Sequence, residues 1–119
     1  MQIRGVKMSA KEETISLEKM EEKELNPILL LGVLREKLQK MGAKVSVHKH
    51  PIGYGIQLTA TIFGIEISVI NDLKGGDTFM CDNNSFEALI DDGDAEGWLT
   101  IDEILQKVKE AVKSKLDEV

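Results

Sequence analysis

The sequence predicts an α+β fold: an antiparallel β-sheet with two α-helices packed on one face. Three observations predict it. An alternating stretch folds back on itself at Phe63-Gly64. A helical stripe with a marked start and stop precedes that stretch. A second helical stripe runs to the end of the chain.

Phe63-Gly64, taken as a two-residue turn, makes Ile62 face Ile65, Ala60 face Ile67 and Leu58 face Val69. The other face then pairs Thr61 with Glu66 and Thr59 with Ser68. One face is apolar and the other mostly polar, as a half-buried antiparallel hairpin requires. A slip of one residue would send both sets to the wrong face. Residues 43–48 also alternate and read as a strand, ahead of a loop marked by Pro51, Gly53 and Gly55. After a turn over 71–76, residues 77–81 read as a further strand. Asn83-Asn84 then leaves two options open. It turns the chain back into a strand over 86–90, or Asn84 caps a short helix there.

Asn26-Pro27 reads as a helix start, an N-cap followed by Pro at the first helical position. Leu31, Leu34, Leu38 and Met41 recur at helical spacing, and Leu30 and Val33 widen the stripe. Gly42 suits the stop, because glycine adopts the left-handed conformation that ends helices. The first helix is thus expected over 26–41. Ile101, Ile104, Leu105, Val108, Ala111, Val112 and Leu116 form the second stripe. Residues 1–25 hold two short strand-like stretches and a charge run. They are expected as a peripheral hairpin and charged linker beside a compact core over 26–119, all within one domain.

Charge and cysteine usage narrow the function classes. A formal net charge of −6 argues against nucleic acid and against an acidic membrane surface. Cys81, the only cysteine, has no partner for an internal disulfide, so a reducing cytoplasm is expected. The apolar run over 28–34 is too short to span a bilayer. Cys81 has no His or Cys beside it in sequence, and a small buried apolar role is expected for it. No local catalytic signature aligns the Ser, His and Asp residues, so no enzyme is expected.

Specific chemistry is concentrated in one stretch, Asp92-Gly93-Asp94-Ala95-Glu96-Gly97-Trp98-Leu99-Thr100-Ile101-Asp102-Glu103. Side-chain oxygens stand at its first, third, fifth and twelfth positions, with Gly at the sixth. A hard cation such as calcium takes six to eight oxygens, and alternate residues of a tight loop can converge on one point. The stretch resembles the EF-hand calcium loop. The resemblance implies calcium held by Asp92, Asp94, Glu96 and Glu103, with the Trp98 backbone carbonyl as a further ligand. A single loop with Glu at its fifth position implies weak binding.

The same residues support a second reading. Thr100-Ile101-Asp102-Glu103 is a capping box, and Leu99 and Ile104 sit where a hydrophobic staple falls. The loop is then a polar turn and a helix cap, and the chain is an ion-free interaction domain or complex subunit with an unknown protein partner. A third reading takes His48 and His50, which share one face of an extended strand, as zinc ligands completed by Glu66. Trp98 is expected to turn inward and pin the loop to the core. The order helix, three strands, helix resembles that of double-stranded-RNA-binding domains in topology alone, and the acidic charge opposes that function.

Overall fold

A computed structural model describes residues 22–49, 55–73, 79–91 and 93–117. The order is α1 (Glu22–Lys40), β1 (Lys44–Lys49), β2 (Ile56–Ile62), β3 (Ile65–Asn71), β4 (Phe86–Ile90), β5 (Glu96–Leu99) and α2 (Ile101–Asp117). The strands form one antiparallel sheet in the order β1-β2-β3-β4-β5, so each pairs with its sequence neighbour. Helix α1 packs over β1 and β2, and α2 over β3 and β4. The fold is α+β, as the residue pattern predicts. The hairpin expected within residues 1–25 lies mostly outside the described residues.

The β2–β3 register is the one the alternation requires: Leu58↔Val69, Thr59↔Ser68, Ala60↔Ile67, Thr61↔Glu66 and Ile62↔Ile65. Phe63 and Gly64 both have positive φ, +50° and +79°. A two-residue turn that matches strand twist needs that combination. Leu58, Ile65 and Val69 are buried on the helix side, with Phe86 from β4 and Leu34, Leu38, Ile104 and Val108 from the helices.

Helix α1 begins four residues before its expected cap. Asn26 and Pro27 lie inside it. The Glu-Lys-Glu-Leu sequence over 22–25 favours helix, and the proline costs one backbone bond close to the helix start. The Asn26 amide does not cap: it donates to Asn83 O and to Asn84 Oδ1, both at 2.6 Å. The helix end is as expected. Gly42 has φ +101°, Ala43 N–H donates to Leu38 O at 3.0 Å and Gly42 N–H to Gln39 O at 3.0 Å. That pair of bonds is the Schellman arrangement, and the apolar Leu38 and Ala43 that accompany it are both buried.

Two strand expectations change. Of residues 77–81, those described form a bend rather than a strand. Residues 86–90 take the strand option as β4. A fifth strand, β5, falls inside the stretch expected to be loop.

Candidate functional site

The β4–β5 hairpin holds most of the residues singled out in the sequence. Asp91 leaves β4 in a left-handed conformation, φ +60°, and its N–H donates to Glu66 O at 2.7 Å. In the ladder Phe86 faces Leu99 and Ala88 faces Glu96. Gly97 and Trp98 therefore share the space opposite Glu87, which makes a β-bulge. The bulge is where Trp98 takes φ +53°.

Neighbouring backbone fixes the bulge. Trp98 N–H donates to Met80 O at 2.8 Å. Met80 N–H donates to Glu87 Oε1 at 3.0 Å. A Cβ at Gly97 would overlap Met80 Cβ and stand 3.0 Å from Met80 O. Glycine is thus required here by close approach. The bend that carries Met80 is held in turn by Asn71, which is buried. Asn71 Nδ2 donates to Asp82 O (2.8 Å) and Ser85 O (2.9 Å), and Asn71 Oδ1 accepts from Leu73 N–H (2.7 Å). Asp82 accepts from Asn84 N–H and Ser85 Oγ, and these bonds hold its carboxyl below the usual carboxylate range. Cys81 is half-buried. Burial pushes its thiol up, and the nearby carboxylates of Asp72, Glu87 and Asp82 add to that, against a backbone N–H from Asp72. This environment disfavours the thiolate.

The acidic residues expected as ligands are placed as follows. Glu96 sits beside α2, and its carboxylate pairs with Lys107 Nζ at 3.0 Å. Asp94 is exposed. Glu103 Oε1 accepts from Thr100 N–H at 2.8 Å, and Glu103 N–H donates to Thr100 Oγ1 at 3.2 Å. That is the capping box the sequence predicts, with Leu99 and Ile104 in the core beneath it. Asp92 lies outside the described residues. A cleft of about 220 Å³ between the hairpin and α2 is lined by Asp94, Glu96, Leu99, Lys107 and Glu110 among others. Among the described residues no three His, Cys, Asp or Glu side chains stand close enough to hold a metal ion.

His48 is exposed on β1, and its Nε2 bonds to Gln57 Oε1 at 2.9 Å. Gln57 Nε2 continues the chain to Ser68 Oγ at 2.9 Å. Glu66 does not lie beside His48. It faces Thr61, which faces Lys44, so it is four residues away along the sheet, about 13 Å. The register therefore separates the expected third zinc ligand from His48, and His50 lies outside the described residues.

Trp98 corrects its expectation directly. It is 59% exposed, and Met80 beside it is 36% exposed. The inward turn expected of Trp98 fails because the bulge leaves Leu99, not Trp98, to fill the core opposite Phe86. Met80 and Asn71 were not singled out in the sequence. A lone Gly beside a strand-like run, here Gly97, is the available signal of close backbone approach. Compared with known proteins, the chain matches no family model, no curated protein and no solved structure. Among the described residues no helix is long and apolar enough to cross a membrane.

Proposed function

We propose that this chain is a protein-interaction module, a binding domain rather than an enzyme, and that Trp98 is the anchor of its docking surface. One observation carries the reading: a largely exposed tryptophan held in a left-handed backbone within a strand. Tryptophan is among the side chains enriched at interface hot spots. The left-handed conformation costs a non-glycine residue about 1–2 kcal/mol. Phe63 is as exposed and also left-handed, but there the two-residue turn demands positive φ. No turn demands it at Trp98. The β-bulge imposes it, and a bulge that re-aims a large aromatic into solvent at the cost of strain supports a functional role. The exposed Met80 side chain extends the apolar surface with an adaptable contact.

The test is a site-specific photo-crosslink in cells that make the protein. A photoreactive phenylalanine analogue at position 98 is expected to yield one saturable protein adduct. The same analogue at Lys113, on the exposed side of α2, is expected to yield none. No adduct at position 98, or the same products at both positions, contradicts the proposal.

A further inference from the structure

We propose that the outer edge of β1 takes up an extended acidic peptide segment as a sixth strand of the sheet. This surface is separate from Trp98: β1 and β5 end the sheet on opposite sides, with three strands between them.

The two edges differ in how they are closed. Edge strands are usually blunted by shortness, bulges, proline or charge, because their outer N–H and C=O groups invite another chain. β5 has only four residues, contains the bulge, and has its Trp98 N–H occupied by Met80 O. β1 has six residues, no proline, and an unbroken register from Lys44↔Thr61 to Lys49↔Ile56. Of these devices it carries charge alone, in Lys44 and Lys49, which blunts pairing with most strands but not with an acidic one. Among the described residues no strand pairs with its far side.

Side chains along β1 specify what fits. Lys44, Ser46 and His48 project from the open face of the sheet, in step with Thr61, Thr59 and Gln57. Val45 and Val47 project toward the helices, opposite Ala60 and Leu58, and are only half-buried. Lys44 and Lys49 make no ion pair among the described residues. This basic edge belongs to a chain of net charge −6. A segment with acidic residues on one face would pair with Lys44 and His48. Apolar residues on its other face would complete the cover over Val45 and Val47. Backbone bonds supply affinity in such strand addition, and the alternating side chains supply selectivity.

The test uses the whole chain and a short capped peptide of alternating Glu and Val. Binding is followed by NMR and by amide exchange at residues 44–49. The Glu–Val peptide is expected to protect the outward-pointing β1 amides, those not bonded to β2. The double variant Lys44→Glu/His48→Glu changes only exposed side chains on the face that would meet the acidic residues, and its melting temperature checks that the fold is intact. It is expected to weaken binding at least about tenfold by setting two carboxylates against the peptide's own. It should also come to prefer a Lys–Val peptide. Trp98→Ala is expected to leave peptide binding unchanged, so failure at one surface is told apart from failure at the other. The proposal is overturned by binding that is indifferent to charge reversal, or by perturbation elsewhere than β1. It is also overturned if the outward-pointing β1 amides, those not bonded to β2, are already protected in the free protein, or if two copies pair through β1.

Discussion

Two hairpins of the sheet, β2–β3 and β4–β5, are built on opposite terms. In β2–β3 the pairs from Leu58↔Val69 to Ile62↔Ile65 alternate cleanly and a two-residue turn closes the ladder. Its one strained side chain, Phe63, sits where the turn geometry demands it. In β4–β5 the strands are short, the ladder carries a bulge, and the strain falls on Asp91 and Trp98. Contacts from outside hold that hairpin: Met80 from the preceding bend and Lys107 from α2. The first hairpin is specified by its own residues. The second is specified by its surroundings, and it presents an exposed tryptophan. Such a division is expected where one region supplies stability and another supplies a site.

The largest effect that separates them is at glycine. Gly97→Ala places a Cβ against Met80 and is expected to cost about 3 kcal/mol. Gly64→Ala meets open space and only the penalty of positive φ, about 1 kcal/mol. Denaturant unfolding of both variants checks this, and equal losses would break the comparison.

Next is Asn71, which holds the bend that in turn holds β5. Asn71→Ala removes three hydrogen bonds at a buried site and is expected to cost about 2–3 kcal/mol. Amide exchange should rise at Trp98 and Met80 before it rises in β2–β3. Uniform loss of protection across the sheet would show that the two hairpins are one cooperative unit.

The smallest effect is at Glu103. Glu103→Ala should cost about 1 kcal/mol as the capping box opens. Glu103→Gln keeps an oxygen for Thr100 N–H and should cost a few tenths, on the order of 0.3 kcal/mol. Calcium sharpens the point, with Trp98 fluorescence as the readout. Glu103 is engaged with Thr100 and Glu96 with Lys107, so millimolar calcium is expected to leave both the emission and the melting temperature unchanged. A calcium response lost in Glu103→Gln would instead give the loop a ligand role.

What was legible in the sequence follows the same division. The β2–β3 register, the α1 stop at Gly42 and the α2 capping box are local devices, each written within a few adjacent residues. They appear in the fold as the residues predict. The start of α1 was misread because Asn26 satisfies its amide on the distant Asn83-Asn84 turn, which no local pattern reveals. β5 was missed because its pairing depends on a bulge and on Met80, seventeen positions before Gly97. The exposure of Trp98 was missed for the same reason. Local packing preference sends a lone tryptophan inward, and the bulge reverses it.

The central claim is that Trp98 is kept exposed and strained for docking rather than for stability. The unfolding free energy of Trp98→Gly tests it most directly, because glycine, with no Cβ, adopts φ +53° without strain. A structural tryptophan and a docking tryptophan predict opposite signs. We expect Trp98→Gly to be more stable than the parent chain by about 0.5–1 kcal/mol, the relief of the left-handed strain less the added freedom of the unfolded chain. A loss of stability of more than about 1 kcal/mol, the scale of an ordinary destabilising substitution, would show that Trp98 holds the fold together and would contradict the account.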